Sequence, residues 1–288
     1  MSAHAYLLHC GDDSFYAGYT PDMPARLAAH RAGKGAKYTR GRGPLELAFC
    51  LLLPDARCAR RQEARLKQLD HKKKQALAQN WQTHRLRLAR PQDGPALQKI
   101  YDYYVKNTAV TFAYETPSPE EYTRWVMDSG RNYPFLVLEG PEGPVGFACA
   151  HPWHVREAFG WDVETTVYMA PGLGGQGGGL RLYGALLTLL EMQGVHNAYG
   201  VLASPNPASE ALHARLGFVR VGLQPDCGWK LGAWYGVSTW GYALRPADGE
   251  PAPVVPFYQM DPEKVARVRA AIAAKAKKAA AEAGKEGE

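Results

Sequence analysis

The first fifty residues alternate short apolar runs with turn residues. Residues 3–9 and 15–20 read as two short strands around the turn signal Gly11-Asp12-Asp13. Over 22–31 the period lengthens to that of a helix, with Met23, Leu27 and Ala28 facing inward and Thr20 or Asp22 as N-cap. A basic, glycine-punctuated loop (33–43) precedes an apolar strand at 45–53, and Pro54-Asp55 opens a helix over 56–69. Another helix is expected over 71–79, and 79–84 reads as a connection into a second domain.

From Leu86 onward strands are expected at 86–88, 135–139, 145–151, 161–169, 197–203, 219–223 and 234–244. Helices are expected at 93–107, 119–128, 180–193 and 208–216. This order predicts a mixed α/β sheet. Residues 246–256 form a Pro/Ala-rich linker, and 261–283 an Ala/Lys stretch of high helix propensity with few large apolar side chains, expected to be a solvated helix. The expected class is α/β (α+β): a small α/β module at 1–80, a linker at 81–85, a mixed-sheet domain at 86–246, and a linker with a basic helical tail at 247–288.

A length of 288 residues suits two domains, and 46% hydrophobic with 22% charged residues is globular usage. Cys10, Cys50, Cys58, Cys149 and Cys227 show no C-x-x-C spacing, which argues against a disulfide framework or a structural zinc site. No apolar run reaches the roughly 18–20 residues that span a bilayer. The opening Met1-Ser2-Ala3-His4 lacks a secretory pattern, so the expected location is cytoplasmic, with no membrane partner. The net charge of +6 is uneven: 1–80 carry 14 Lys and Arg against 7 Asp and Glu, 81–248 carry 13 against 15, and 249–288 carry 7 against 6. Phosphate-rich partners favour the first segment, although a merely soluble basic domain would show the same excess.

Within that segment, Tyr6 and Tyr16 stand on adjacent strands, and Arg26 and His30 lie at i,i+4 on one helix face. A hairpin with the helix packed on it brings these four polar tips together. Phosphodiester hydrolysis needs such a set: a group to deprotonate water, a cation for the developing charge, and a carboxylate for a divalent metal. Glu63 is the candidate carboxylate, on a helix among Arg60, Arg61, Arg65 and Lys67. A purely structural account stays open, with the tyrosines as sheet residues and Glu63 as an i,i+4 partner of Lys67. The blocks Tyr6-Leu7-Leu8-His9-Cys10, Tyr16-Ala17-Gly18-Tyr19-Thr20, Ala25 to His30, Gly33 to Thr39 and Gln62 to Lys67 together resemble the GIY-YIG endonuclease domain over 5–79. The resemblance implies Tyr6 and Tyr16 as motif tyrosines, Arg26 as transition-state cation, Glu63 as ligand of one Mg²⁺, and DNA or RNA as partner. The sequence departs from the family pattern in Ala5-Tyr6-Leu7 and Tyr16-Ala17-Gly18, which bears on cleavage more than on fold.

The second domain carries Gly174-Gly175-Gln176-Gly177-Gly178-Gly179 between a strand and a helix, an arrangement in which glycines admit a ligand and free N–H groups hold phosphate. A flexible connector would look similar. No Gly-Lys-Ser/Thr follows, which excludes a Walker loop. With Asn206 to Phe218 downstream, the loop resembles motifs A and B of the GNAT acetyltransferase superfamily. The resemblance implies acetyl-CoA as cosubstrate, with Val167, Met169, Gly174, Gly175, Gln176, Gly177 and Gly179 on its thioester and pyrophosphate side and Asn206 and Ser209 on its pantetheine arm. Gly174 replaces the side-chain donor usual at that position.

The runs Ile100 to Val105, Thr108 to Phe112, Pro117 to Glu121, Trp161 to Tyr168 and Gly228 to Trp234 resemble the phosphinothricin and methionine-sulfoximine N-acetyltransferases. A small amino-acid-like amine is then the expected acceptor, and a homodimer through this domain a possible assembly. Acetyl transfer needs a neutral amine, so a nearby carboxylate is required to take its proton. Glu164 stands at the family's general-base position, the Met169 N–H is placed to polarise the thioester carbonyl, and Arg156 and Lys230 are candidates for a substrate carboxylate. His213 is expected to pack or cap rather than to react.

Overall fold

The computed structural model describes residues 2–273. Strands β1 (Ala3–His9) and β2 (Phe15–Thr20) precede helix α1 (Met23–Arg31), and β3 (Glu46–Leu53) is followed by α2 (Ala56–Gln68) and α3 (His71–Thr83). They build a three-stranded antiparallel sheet of order β2-β1-β3. Asp22, Asp55 and Asp70 cap the three helices by accepting from Ala25, Cys58 and Lys73 N–H groups, so each helix begins where a carboxylate replaces its missing acceptor. Residues 79–83, expected as a connection, continue α3, because Asn80 and Trp81 are buried.

The chain then runs through β4 (Arg85–Leu88), α4 (Gly94–Asn107), α5 (Pro119–Asn132), β5 (Leu136–Gly140), β6 (Gly143–Pro152), β7 (Asp162–Met169), α6 (Gly178–Gln193), β8 (Asn197–Ser204), α7 (Pro207–Leu216), β9 (Val219–Lys230), β10 (Ala233–Ala243) and α8 (Pro262–Ala273). Seven strands pair in the order β4-β5-β6-β7-β8-β10-β9. Every pairing is antiparallel except β7 with β8. Strand β9 extends well past the expected 219–223. Its Pro225 and Gly228 look like a strand end, but β9 is an edge strand, where a proline is tolerated and the register shift opposite Tyr235–Val237 absorbs the extra residues. Among the described residues no helix is long and apolar enough to cross a membrane.

Helix α6 is apolar on every side, and twelve of its sixteen residues are buried. One side lies on β5, β6 and β7; the other meets β3 of the small sheet. A Cβ on Gly184 would stand 2.5 Å from the Leu52 carbonyl oxygen, so only glycine admits that approach. Polar contacts reinforce the seam: Gln62 Nε2 donates to Arg215 O at 2.6 Å, Tyr242 donates to Asp55 Oδ2 at 2.8 Å, and Arg181 Nη2 donates to His84 O at 3.2 Å. A single hydrophobic cluster therefore contains residues of both sheets. Helix α8 differs from the solvated helix expected of the tail: Val268 is buried in the same cluster and α8 lies against β4. The remaining Ala/Lys stretch, 274–288, falls outside the described residues.

Gly184→Val is expected to cost about 1–3 kcal/mol by overpacking the seam. The cost reads out as a lower urea midpoint, and an unchanged midpoint would show that β3 does not bear on α6.

Candidate active sites

Strands β7 and β8 pair only over Asp162–Glu164 and Asn197–Tyr199, then diverge. Beyond the last pair, Glu164↔Tyr199, the gap is a channel of about 240 Å³ lined by β7, by Val201 to Ala203 of β8, and by Thr111, Asn206, Ser209 and His213. The Ala170 N–H is spent on Val145 O of β6 at 2.7 Å. Strand amides alternate in direction, so those of Val167 and Met169 point into the gap that β8 has left. Tyr104 fixes this strand end by donating to Met169 O at 2.7 Å.

Glu164 stands at the closed end of the channel, where burial raises its carboxyl above the ordinary range and His151, 3.8 Å away, partly opposes the shift. Behind it runs a buried polar chain. His213 Nδ1–H donates to Ser209 O at 2.8 Å, which leaves Nε2 to accept from the Tyr183 hydroxyl at 2.9 Å. Thr165 Oγ1 lies 2.6 Å from the Tyr183 hydroxyl and 2.8 Å from Tyr199 O. Burial pushes His213 down to about 4, against a smaller upward effect of its bond to Ser209, so the ring is neutral. Asn206 caps α7 by accepting from Ser209 N–H at 3.2 Å. After β7 the chain passes through the glycine loop and α6 begins at Gly177, φ +83°, with no side-chain cap, so its first-turn amides have no partner within the helix. Gln176 is held by Asn80 Nδ2 at 3.1 Å.

In the small sheet Tyr6 is fully buried, and its hydroxyl accepts from Arg26 Nε at 3.1 Å and donates to His30 Nε2 at 3.0 Å. His30 Nδ1–H donates to Thr39 Oγ1 at 2.8 Å, and the Thr39 hydroxyl in turn donates to Ala36 O at 2.9 Å, which fixes the neutral tautomer. Burial, then the Arg26 charge, lowers the His30 ring below its ordinary value. Tyr6 pairs with Gly18 across the strands, and a Cβ there would sit 2.5 Å from the Tyr6 hydroxyl; this is the physical reason for glycine two residues after Tyr16. Tyr16 lies over His30 with ring centres 5.1 Å apart and stacks on Tyr38 at 6.0 Å. Glu63 holds Lys67 at 2.8 Å, and its charge reaches Tyr6. Among the described residues no three His, Cys, Asp or Glu side chains gather around a metal-sized point. One carboxylate with retained waters nevertheless suits Mg²⁺, which dehydrates reluctantly.

The structure thus brings Tyr6, Tyr16, Arg26 and His30 together, with Glu63 beside them, and places Glu164, Val167, Asn206 and Ser209 on one channel. It does not bring Arg156 or Lys230 to that channel. Arg156 is exposed in the β6–β7 connection, and Lys230, buried, donates to Thr111 O at 2.7 Å, a contact that holds the channel's wall. Thr111 and Phe112 line the channel without having been named as site residues; their signal in the sequence was membership of the Thr108 to Phe112 run that resembles the phosphinothricin acetyltransferases.

A glycine-loop helix following a strand that splays from its parallel neighbour defines a GNAT acetyltransferase. The family model described as an acetyltransferase (GNAT) domain matches residues 86–238, more than half of the chain, and the chain belongs to that family. The model described as a GIY-YIG catalytic domain matches residues 3–76. The phosphinothricin N-acetyltransferase of Streptomyces coelicolor is 36% identical over 151 residues, covering 51% of this chain and 88% of that protein. A UPF0213 protein of Halalkalibacterium halodurans is 46% identical over 77 residues, covering 27% of this chain and 82% of that protein. The crystal structure of a phosphinothricin acetyltransferase from Sinorhizobium meliloti in complex with acetyl-CoA superposes with a TM-score of 0.57 at 29% identity, covering 62% of this chain and 98% of that one.

Because the folded His213 pKa is depressed to about 4, its neutral ring stabilises the fold above the ordinary histidine value near 6.5, and this contribution is lost as pH falls toward 4. The loss is on the order of 3 kcal/mol. Urea unfolding at pH 7 and pH 4 should show a steeper fall for the wild type than for His213→Gln; equal falls would contradict a neutral buried ring.

Proposed function

We propose that this chain is an acetyl-CoA-dependent N-acetyltransferase of small amino-acid-like amines, with phosphinothricin as the model acceptor, carried by residues 86–246. Residues 1–80 form the nuclease-like module, 81–85 join the two, and 247–288 form a linker and tail, in a cytoplasmic protein. The observation that carries this reading is the divergence of β7 from β8 directly after Glu164, which leaves two strand amides and one half-buried carboxylate on the same channel. Acetyl-CoA supplies an activated thioester carbonyl. The Val167 and Met169 amides hold the pantetheine end and polarise that carbonyl, and Asn206 and Ser209 line its path. The first-turn amides of α6 with Gly174, Gly175, Gln176, Gly177 and Gly179 take the pyrophosphate.

Glu164 accepts a proton from the acceptor ammonium, directly or through water; the freed amine attacks the carbonyl carbon and the C–S bond breaks to release the thiol. A carboxylate raised by burial is suited to this work, since its proton affinity lies nearer that of the amine. The acceptor enters through a second cavity of about 680 Å³ lined by Tyr101, Glu121, Tyr122 and Trp125, which shares Thr166 and Tyr168 with the channel and joins aromatic faces to a carboxylate. The exposed Val219, Val221 and Leu223 on edge strand β9 support a homodimer through this domain.

With acetyl-CoA and a panel of amino acids and analogues, thiol release is expected. Glu164→Gln should lower kcat/KM by about 10²–10⁴. Activity should fall as pH drops through the raised Glu164 pKa, so the acid limb lies above the ordinary carboxylate range and vanishes in the variant. Absence of turnover with every amine, or a variant matching the wild type, would overturn the reading.

A second activity is supported by the Tyr6–His30–Arg26 bond network. In it Arg26 neutralises the developing phosphorane charge and Tyr16 and His30 serve proton transfer; Glu63 would hold Mg²⁺, which would supply further charge neutralisation. A Mg²⁺-dependent nick in branched or single-stranded DNA or RNA, abolished by Glu63→Ala, is the expected result. Salt-sensitive binding with no cleavage by the wild type would reduce the module to a nucleic-acid binder.

A further inference from the structure

The seam between the two sheets is not closed throughout. A cavity of about 590 Å³ lies between α2 and α3 on one side and Gly175 to Gly177, Leu180 and Arg215 on the other. Its walls combine two chemistries. Leu66, Leu69 and Leu77 make an apolar face from the N-terminal helices, while Arg65 and Arg215 bring guanidinium groups from both halves of the chain. No carboxylate lines the space. The Arg65 and Arg215 charges are close enough to act on each other: Arg65 is held below its ordinary pKa by burial and then by the neighbouring Arg215 and Arg61 charges. Guanidinium groups crowded along a partly buried wall with no carboxylate repel one another, and an anion held between them relieves that repulsion. An apolar wall beside a cation pair, in a volume within the usual range of ligand sites, suits a phosphorylated nucleoside.

The cavity opens on the glycine loop itself, through Gln176 and Gly177. It is also separate from the Tyr6 cluster. Glu63 and Arg65 are two positions apart on α2, hence about 200° apart around the helix, so that one face serves each site. A nucleic acid approaching Glu63 would not reach Arg65 by the same face.

We propose that the N-terminal module completes the coenzyme site of the acetyltransferase. Arg65 and Arg215 bind the phosphate of the 3′-phosphoadenosine end of coenzyme A, and Leu66, Leu69 and Leu77 cover its base. This rests on the assignment of the glycine loop to the coenzyme's pyrophosphate.

Calorimetric titration of the full chain with coenzyme A, with dephospho-coenzyme A, and with a single-stranded oligonucleotide tests the assignment without turnover. The wild type should bind coenzyme A at least about tenfold more tightly than the form lacking the 3′-phosphate. Arg65→Gln and Arg215→Gln should each remove most of that ratio while leaving binding of dephospho-coenzyme A and the unfolding midpoint near wild type. Equal binding of the two coenzymes by the wild type, with both variants indifferent, would overturn the phosphate site and leave the glycine-loop assignment standing. Variants that lose the oligonucleotide but keep the coenzyme ratio would also overturn it, in favour of nucleic acid. Failure of the wild type to bind either coenzyme would overturn the acetyltransferase reading together with this one.

Discussion

Helix α6 is the constraint on which both halves of the molecule depend. One side of α6 covers the large sheet, but a helix apolar all round cannot leave its outer side in water. Here that side is covered by β3, and the contact is close enough that Gly184 meets the Leu52 carbonyl directly. The consequence is a shared core rather than two cores on a string. The small sheet has only three strands and gains much of its burial from this contact, which follows from how little surface a segment of that size buries alone. Arg181 adds a polar tie: its guanidinium is buried and lowered to about 10 by desolvation, and His84 O, at the end of α3, is where it bonds. A cation near a helix C-terminus meets the negative end of the dipole, which offsets part of that burial.

The same helix positions the chemistry on either side. Tyr183 and Gly184 are consecutive, yet the first joins Thr165 and His213 beside the channel and the second receives β3. The N-terminus of α6 carries the glycine loop, onto which Asn80 of α3 is bonded and against which Leu77 packs. Helix α2 repeats this two-sidedness, with Glu63 toward the Tyr6 network and Gln62 bonded to Arg215 O across the seam. Glu63 and the glycine loop therefore each belong to an element, α2 or α6, whose other side is fixed by the partner half.

How much of this was legible in the sequence depended on the range of the interaction. Elements set by local period appeared in order, because alternation and the 3.6-residue repeat are read within one segment. The Tyr6, Tyr16, Arg26 and His30 cluster was legible for the same reason: a hairpin and the next helix need only short connections to bring them together. Misreadings came where tertiary burial decided the outcome. Trp81 keeps α3 helical through an apparent connection, pairing with β10 carries β9 past Pro225, and Val268 docks a tail whose composition reads as solvated. Lys230 shows the limit for site residues: its charge suggests a ligand for a carboxylate, but folding spends it on Thr111 O. Arg65 and Arg215 stand 150 positions apart, and no spacing rule relates them; only the seam brings their charges into one cavity.

The divergence of β7 and β8 is held open by side chains, since no backbone pairing defines it beyond Glu164↔Tyr199. At the last pair the Thr165 hydroxyl also donates to Tyr199 O, which adds a side-chain bond where the ladder ends. Tyr183 and His213 extend that contact to Ser209 O in the first turns of α7, so the strand junction, α6 and α7 are joined through the buried side chains of Thr165, Tyr183 and His213. Buried polar groups left unmatched cost more than matched ones contribute, so the network tolerates one geometry and penalises its neighbours. The channel's opening is therefore fixed where α6 crosses β7, and the helix that fixes it is the one whose outer face is sealed by β3.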